Sequence, residues 1–442
     1  MTHVMRMGTH AEAAYFQLGA QAGWFDELLV NANLLQGTRS ATSLLAFQLS
    51  HTGEGHGFFV DPITYAFGLN PRYMMAESAR SNDLHFKRTF LGLAREYGLI
   101  GEADTNITQL GEPWFEDDGR LASFCEAVLR YQQTAVQQAL NENRDFLLTD
   151  VGEIHPQRLL APYFHMSLDG RWRATNSRLV QASANLATEA WDRPVWAVIC
   201  VDSHLLDDAA AMADIAQTYA ALPCEGYGLW VTAFNEQRAT RQQVVSLIDF
   251  LRALPTGRPV IQLYGGFFSA LLKPFGVTGL SHGVGYGEQR DVTPVVGGGL
   301  PPAKYYLPAI HDEILVIDLV RLVIDLGLTD AAFRERICHC TICKGLLDRG
   351  GVDGLLDAYS RSERRQYRAG FRDFPTPDVY RMTRFHFLEN RHMELARLAD
   401  LPADSFGPEV TALELAYGEY ARRLYPPPSF LRTWSAALGS RL

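Results

Sequence analysis

The run Val195-Trp196-Ala197-Val198-Ile199-Cys200-Val201 is apolar throughout, is followed directly by Asp202, and indicates the fold class of the chain. A short run of this kind, rich in β-branched residues, is typical of a buried strand. Helical periodicity follows from Asp207 to Leu222, and a second apolar run extends from Gly228 to Phe234. A strand, a helix and another strand in this order predict two parallel strands joined by a crossover helix.

The same unit recurs along the chain, where eight apolar runs are interpreted as strands. These runs are Leu28 to Leu35, Gly57 to Val60, Leu159 to Phe164, Val195 to Val201, Gly228 to Phe234, Val260 to Tyr264, Val277 to His282 and Tyr305 to His311. Further helix-like segments, Ala239 to Ala253 and Phe267 to Phe275, separate the later runs. Eight strands that alternate with helices predict a TIM-type (β/α)₈ barrel, an α/β fold, which we assign to residues 1–315.

Helical segments interrupt and follow the predicted barrel. Helical periodicity from Ala79 to Tyr97 and from Leu121 to Asn141 predicts an insertion at about residues 66–145, placed over one end of the barrel. Beyond Ile314 the pattern is again helical, so residues 316–442 are predicted to form a separate helical region.

The composition excludes several classes of protein. Hydrophobic residues make up 47% of the 442 positions and charged residues 20%, so the chain can bury a large core and is not generally disordered. Its 40 Lys and Arg against 50 Asp and Glu give a net charge of −10. That balance argues against a protein that grips nucleic acid over its whole surface, although a local basic patch remains compatible with it.

The compartment is predicted from cysteine usage and from hydropathy. Cys125, Cys200 and Cys224 have no partner spacing and are expected to be free, buried thiols in a reducing environment. Met1 to Gly8 lacks a charged region followed by an apolar run, and no stretch approaches 18 uninterrupted apolar residues. We therefore expect a soluble cytoplasmic protein without a membrane partner.

A metal site is predicted where three of the six cysteines fall close together, in Ile337-Cys338-His339-Cys340-Thr341-Ile342-Cys343-Lys344-Gly345. Three adjacent thiolates can converge on one tetrahedral Zn²⁺, and a closed Cys₃His set is usually structural. The alternative is a reduced cluster without metal. C-terminal to the cluster, the candidates for the fourth ligand are His386 and His392, and we favour His386 because it lies nearer the start of its helix between two aromatic residues.

Carboxylates at the ends of the predicted strands are the candidate catalytic groups, because the active site of such a barrel lies at the carboxyl ends of its strands. Asp61 ends Gly57-Phe58-Phe59-Val60-Asp61, and Asp202 follows the run that ends at Val201. With His204 two residues on, Asp202 can form an acid–base pair or act as a nucleophile. Both aspartates have an alternative role as caps, and for Glu236 capping is the favoured interpretation.

Glycine-rich segments after the later predicted strands supply candidate substrate-binding residues. Gly265 and Gly266 follow the sixth strand, His282 ends the seventh, and Glu288 and Asp291 come shortly after it. The glycines from Gly279 to Gly287 and from Gly297 to Gly299 suit a backbone that approaches a flat, purine-like base, or else a sharp turn without a ligand. A phosphate loop is disfavoured, because the full fingerprint is absent.

A basic segment follows the cysteines. It contains Arg361, Arg364, Arg365, Arg368, Arg372, Arg381, Arg384 and Arg391, with aromatic residues interleaved. On an acidic protein, such a segment is where phosphates would be met. The alternative is a solvated helical face whose arginines pair with neighbouring carboxylates.

The spacing Cys-x-Cys-x-x-Cys, followed by a helix with a histidine, resembles the zinc motif of the tRNA-guanine transglycosylase superfamily, whose members are TIM barrels that exchange guanine for a 7-deazaguanine base. Ile261-Gln262-Leu263-Tyr264-Gly265-Gly266 and the strand that ends in Ser281-His282 are similar to the family segments before and at its nucleophile. The larger insertion and altered strand ends look more like the divergent relatives that modify DNA.

The resemblance implies the roles of the site residues. Asp61 matches the aspartate that binds the departing base and assists proton transfer, although Pro62-Ile63-Thr64 replaces the serine and glycines that follow it in the family. The nucleophilic aspartate itself is missing, so Asp202, or otherwise Glu288 or Asp291, would capture the sugar C1′. The implied partners are DNA or tRNA and a 7-deazaguanine base, with Zn²⁺ held by Cys338, Cys340, Cys343 and His386.

Two other interpretations stay open. The missing aspartate also fits a non-catalytic barrel that binds nucleic acid or pairs with an active subunit or with a second copy of itself. In the other, the chain is a barrel lyase or hydrolase unrelated to this superfamily, and zinc has only a structural role.

Overall fold

The computed structural model describes residues 1–7, 13–36, 57–77, 83–142, 153–191, 193–284, 288, 290–293, 303–367 and 370–442. Its strands are β1 (Thr2–Met7), β2 (Glu27–Asn31), β3 (Gly57–Asp61), β4 (Met75–Glu77), β5 (Leu84–Phe86), β6 (Leu159–Leu160), β7 (Val195–Asp202), β8 (Gly226–Thr232), β9 (Val260–Gln262), β10 (Val277–His282), β11 (Lys304–Leu307), β12 (Asp312–Leu315), β13 (Ser362–Tyr367) and β14 (Gly370–Pro375).

Eight of these strands form one parallel sheet in the order β3-β2-β1-β10-β9-β8-β7-β6. The sheet is nearly closed into a barrel, because its two end strands approach each other where the backbone N–H of Gln157 donates to the carbonyl of Phe58 across 2.8 Å. Helices surround the sheet, so the α/β barrel predicted from the apolar runs is present.

The gap between the two end strands is filled by a side chain. Gln132, fully buried in helix Asp118–Glu142, donates from Nε2 to the carbonyl of Leu160 and accepts the N–H of the same residue, both at 2.8 Å. An amide side chain thus supplies to β6 the donor and acceptor that a neighbouring strand would otherwise provide. At the end of the barrel opposite the carboxyl ends of the strands, Arg158 pairs with Glu27 and lies over the rings of Phe59 and Trp196.

One predicted barrel strand is wrong. The run from Tyr305 to His311 does not join the barrel but contributes β11 to an antiparallel hairpin with β12. The eighth barrel strand is β1, which pairs with β2 and β10. Strand β1 shows no clear apolar run because His3 and Arg6 interrupt it, and both side chains are accommodated by tertiary contacts within the fold.

The described helices are Ala13–Gln21, Ala32–Leu35, Tyr65–Gly68, Arg88–Glu96, Asp118–Glu142, Arg173–Ala190, Ala209–Ala220, Arg241–Ala253, Phe267–Leu271, Val316–Leu326, Asp330–Arg336, Thr341–Ser360, Pro377–Ala399, Gly407–Tyr420 and Phe430–Gly439. Side-chain caps set the starts of several of these helices; for example, Asp208 accepts the N–H of Ala211, and Thr240 forms a capping box with Gln243. Among the described residues, no helix combines the length and the apolar character needed to cross a membrane.

The predicted insertion contains the β4–β5 hairpin and helices Arg88–Glu96 and Asp118–Glu142, while residues 78–82, where the first helical segment was predicted to begin, lie outside the described residues. The basic segment differs from expectation. Its first half is the antiparallel hairpin β13–β14 rather than a helical face, and Arg368 is outside the described residues. Alternating polar and aromatic residues on either side of Gly370 are compatible with a two-stranded ribbon.

Several polar contacts fix the C-terminal region to the barrel. The Lys273 ammonium donates to the carbonyls of Leu398, Ala399 and Leu401 at 2.6–2.9 Å, which satisfies the end of helix Pro377–Ala399. The indole N–H of Trp434, in the last helix, donates to the carbonyl of Glu236 at 2.9 Å.

Candidate functional site

The strand ends bring the predicted catalytic aspartates to one end of the barrel. Asp61 is the last residue of β3 and Asp202 the last residue of β7, and parallel strands all end on the same side. Cys200, buried inside β7, lies within electrostatic range of Asp61, Asp202 and Asp291 together. We call the end of the barrel that carries these three carboxylates the mouth.

Asp61 is fully buried, and only one of its carboxylate oxygens has donors. The N–H of Ile63 and the hydroxyl of Tyr163 donate to Oδ1 at 2.9 and 2.8 Å. Oδ2 is buried and has no hydrogen-bond partner among the described residues. Burial raises the pKa of Asp61, and the donors from Ile63 and Tyr163 only partly oppose it. The group is therefore suited to carrying a proton on Oδ2 and passing it to a ligand.

Aromatic side chains lie beside Asp61. The ring of Tyr65 is 5.7 Å from that of Tyr163 and edge-on to Trp230 at 5.0 Å, and Trp230 is 4.6 Å from Tyr264. All four rings are buried, and aromatic rings of this kind can stack on planar heteroaromatic rings. Sequence reasoning missed all four, although three of them stand within predicted strand runs, where an aromatic residue near a strand end was an available signal.

Two arginines also reach the mouth. Arg6 of β1 and Arg290 each donate to the hydroxyl of Tyr264, at 3.1 and 3.0 Å. Both cations lie within electrostatic range of Asp61 and lower its pKa in opposition to burial. Arg6 was missed because β1 was not recognised as a strand, and Arg290 because its place is set by a loop after the barrel.

Asp202 has two different neighbours at its two carboxylate oxygens. Oδ1 accepts the N–H of His204 at 2.8 Å, so the predicted capping role is present, and His204 itself is exposed. Oδ2 lies 3.9 Å from Nε2 of His165, a residue not singled out from the sequence. The imidazole near Asp202 in space is therefore that of His165, which follows β6, the strand beside β7 in the sheet.

Asp291 and Glu288, the two acidic residues that follow β10, have different partners. Asp291 Oδ1 accepts from the hydroxyl of Thr232, the last residue of β8, at 3.2 Å. Glu288 instead forms an ion pair with Arg391, which is fully buried and also pairs with Glu394 at 3.0 Å. Arg391 therefore stabilises carboxylates inside the protein, and the expectation that it meets phosphate with the other arginines is wrong.

Side chains of the protein itself occupy the space beside Gly265 and Gly266, the predicted substrate-binding glycines. Gly266 N–H donates to Glu236 Oε1 at 2.9 Å, and a Cβ there would lie 2.6 Å from Glu236 Oε2. At Gly265 a Cβ would lie 2.3 Å from Ser269 Oγ. Both glycines thus allow close packing around a buried carboxylate. The glycines at 285–287 and 297–299 lie outside the described residues.

His282 lies on the outer surface of the barrel wall. Its Nε2 is 2.8 Å from Nε2 of His3, and its ring is edge-on to Phe387 at 5.3 Å. Phe387 belongs to helix Pro377–Ala399, so His282 is buried between the barrel and that helix. The neighbouring Ser281 is buried, and its hydroxyl oxygen has no partner among the described residues.

The cysteine cluster has the geometry of a metal site. Nδ1 of His386 lies 3.7, 3.3 and 3.5 Å from the sulfurs of Cys338, Cys340 and Cys343, and the four ligand atoms all lie within 4.8 Å of one another. Tetrahedral zinc bonds of the usual lengths would set the sulfur–nitrogen separation at roughly 3.6 Å. The buried Cys₃His cluster can therefore hold a metal ion, and His392 is not a member of it.

Surrounding groups orient the cluster. The other ring nitrogen of His386, Nε2, donates to the carbonyl of Tyr306 at 2.6 Å, and the ring of Tyr305 stacks on it at 4.1 Å. Backbone N–H groups of Cys340 and Cys343 donate to Cys338 Sγ and Cys340 Sγ, both at 3.4 Å. A histidine fixed through its second nitrogen and sulfurs that accept N–H bonds are typical of metal sites.

The fold and this cluster define the chain as an α/β-barrel protein with a buried Cys₃His group that can hold a metal ion. No family model and no curated protein matches the chain.

Proposed function

We propose that the protein is a zinc-containing transglycosylase that exchanges guanine for a 7-deazaguanine base in nucleic acid, with DNA favoured over tRNA. The observation that carries the proposal is the pairing of a buried, half-satisfied carboxylate with a cluster of buried aromatic rings at the mouth. Asp61 Oδ2 has no partner among the described residues, the hydroxyl of Tyr163 donates to Oδ1, and Tyr65 and Trp230 continue the aromatic cluster from Tyr163. This combination suits a purine whose ring nitrogens exchange protons.

The proton on the base is assigned to Asp61. When the bond between C1′ and the base nitrogen breaks, its electron pair stays with the base, which must be protonated to leave as a neutral molecule. Asp61, whose pKa is raised by burial, can give that proton and later take one from the incoming base. The hydroxyl of Tyr163 keeps Oδ1 in place during both transfers.

Capture of the sugar is assigned to a carboxylate of the mouth. Asp202 is the first candidate because its Oδ2 accepts no hydrogen bond from the described residues and its side chain is 26% exposed. Asp291 is the second, since its Oδ1 is held by Thr232. Glu288, the third candidate from the sequence, already forms an ion pair with Arg391. Attack on C1′ would form a glycosyl ester that the incoming base then displaces.

Zinc is the metal we assign to the Cys₃His cluster, because three thiolates and one imidazole are a preferred zinc set. All four ligands are buried, which leaves no open position for a substrate. When bound, the metal would tie the loop at Cys338 to helix Pro377–Ala399, and that helix also contacts the barrel through Arg391 and Glu288. The metal would therefore help to position the C-terminal region and would take no part in the chemistry.

Nucleic acid is the proposed partner because a basic ribbon lies on an acidic protein. Residues 361–384 contain seven arginines and three acidic residues, a net charge of +4 within a chain of net charge −10. On the hairpin, Arg364 lies over the ring of Phe371, which is 63% exposed. Arginine with an exposed aromatic ring suits phosphates and unstacked bases. The buried free thiols, which persist in a reducing environment, support a cytoplasmic location.

The test is incorporation of labelled guanine into duplex DNA and, separately, into tRNA. The proposal expects incorporation by the wild-type protein, and a loss of about 10²–10⁴-fold in Asp61→Asn, in line with the usual contribution of a general acid–base group. Asp214→Asn is the matched control, because Asp214 lies on an outer helix and pairs with Arg173. Binding of either nucleic acid without incorporation would support the non-catalytic barrel instead.

A further inference from the structure

We propose that the mouth also hydrolyses the N-glycosidic bond, with His165 as the general base that activates water and Asp202 as the residue that positions His165. This activity rests on the proposed function, since it uses the same nucleotide at the same mouth. It differs in the acceptor, which is water instead of a second base, and its product is an abasic sugar.

The first support is the geometry of His165. Its Nε2 is buried, has no hydrogen-bond partner among the described residues and lies 3.9 Å from Asp202 Oδ2. A carboxylate that faces one imidazole nitrogen keeps the proton on that nitrogen and leaves the other free to act as a base. The separation is longer than a hydrogen bond, as is common in catalytic pairs before a substrate closes the site.

The second support is a polar cavity of about 190 Å³ that His165 lines together with Asn70, Gln109, Ser167 and Arg171. A water molecule takes about 30 Å³ in the liquid, and buried water needs several polar partners. The volume and the lining therefore suit a small group of waters. The volume is also below the roughly 300–1,000 Å³ of pockets that enclose drug-sized ligands.

The third support is the position of this cavity beside Asp61. Tyr65 lines the cavity, and its ring lies 5.7 Å from that of Tyr163, whose hydroxyl donates to Asp61. Tyr65 is also within electrostatic range of Asp61. The cavity lined by His165, the base for water, therefore adjoins Asp61, the acid for the leaving group, through Tyr65 and Tyr163.

The proposed step balances as a single displacement. The oxygen of water forms a bond to C1′ while the bond from C1′ to the base nitrogen breaks and leaves its electron pair on the base. His165 Nδ1 takes the proton from water, and Asp61 gives a proton to the base. Exchange with solvent then returns the proton from His165 and restores the proton on Asp61.

The charge state of His165 agrees with a base at neutral pH. Burial lowers the pKa of His165, while Asp202, Asp291 and Asp169 raise it in opposition. Base release should therefore decline on the acid side of about pH 6.5, where the imidazole gains a proton. Asp202→Asn removes one of the opposing charges and should move this decline to lower pH, which a purely structural role for Asp202 would not do.

The experiment measures free guanine and alkali-labile abasic sites after incubation of wild-type protein with duplex DNA or tRNA and no added base. We expect release by the wild-type protein. We expect release to fall at least about 100-fold in His165→Gln. Circular dichroism and thermal unfolding of this variant show whether it is folded. His204→Gln is the matched control, because His204 is the sequence neighbour of Asp202 but is exposed.

Two results would overturn the inference while leaving base exchange intact: incorporation by the wild-type protein without any release, or release by His165→Gln at the wild-type rate. Release without incorporation would instead overturn the proposed exchange and support hydrolysis alone. If neither reaction occurs, both proposals fall together.

Discussion

The Nε2–H of His386 donates to the backbone carbonyl of Tyr306 across 2.6 Å, and this bond directs Nδ1 towards three cysteine sulfurs. Tyr306 lies in β11, in the hairpin that replaces the predicted eighth barrel strand. The hairpin therefore has a local task, since it fixes the tautomer and the orientation of the one imidazole in the cluster.

Removal of this imidazole should abolish metal binding. The wild-type protein is expected to carry one zinc ion per chain, and His386→Ala should lower the affinity for zinc by at least about 100-fold, because three thiolates alone leave one tetrahedral position open. Elemental analysis and a competition titration with a chelator measure both quantities. His392→Ala should keep full zinc content, and equal loss in both variants would contradict the ligand assignment.

The amide of Gln132 should stabilise the gap in the barrel. Gln132→Leu leaves the N–H and carbonyl of Leu160 buried without partners, at about 1–3 kcal/mol each, so the free energy of unfolding should fall by roughly 2–6 kcal/mol. Urea denaturation followed by circular dichroism measures the change. Gln138→Leu on the same helix is the control, because Gln138 is exposed and should shift stability by no more than about 0.5 kcal/mol.

Glu313 should make the folded state less stable as the pH rises. Burial, together with the nearby charge of Glu288, raises the pKa of Glu313 to about 8, whereas in an unfolded chain it is near 4.5. Between these values the folded state holds a proton that the unfolded state releases, so this group's contribution to stability decreases with pH throughout the window.

Glu313→Gln should therefore flatten the pH dependence of stability. The difference in unfolding free energy between wild type and variant should change by up to about 1.4 kcal/mol per pH unit from about pH 5 to 8, and the variant should be the more stable at about pH 8. The cysteine ligands affect the stability of both proteins equally, so subtracting one curve of unfolding free energy against pH from the other removes their contribution. A difference that does not vary with pH would rule out this assignment.

The basic hairpin should bind nucleic acid in a salt-dependent way. If Arg364 and Arg365 each meet a phosphate, the variant with both changed to Gln should bind duplex DNA more weakly, and the slope of log affinity against log salt should become shallower by about 1.8. Fluorescence anisotropy between about 50 and 200 mM salt measures the slope. Arg321→Gln, an exposed arginine on helix Val316–Leu326, is the control and should leave the slope unchanged.

Short-range patterns in the amino-acid sequence account for most of the barrel and for the metal cluster. Apolar runs alternating with helices predicted seven of the barrel strands, and the spacing of Cys338, Cys340 and Cys343 with His386 predicted the group that the structure brings together. Both signals are local, because strand burial fixes a run of residue types and a tetrahedral ion fixes the spacing of thiolates. Asp61 and Asp202 were also indicated by a local pattern, because each directly follows the apolar run of a strand.

The remaining features depend on contacts between distant parts of the chain. Strand β1 joins the barrel because its neighbours β2 and β10 are available on both sides, although His3 and Arg6 obscure its pattern. Neighbours in space, not in sequence, place His165 instead of His204 beside Asp202 and turn Arg391 inward to Glu288. Side-chain partners drawn from strands and loops far apart in the chain depend on how the sheet closes, and no local pattern contains that information.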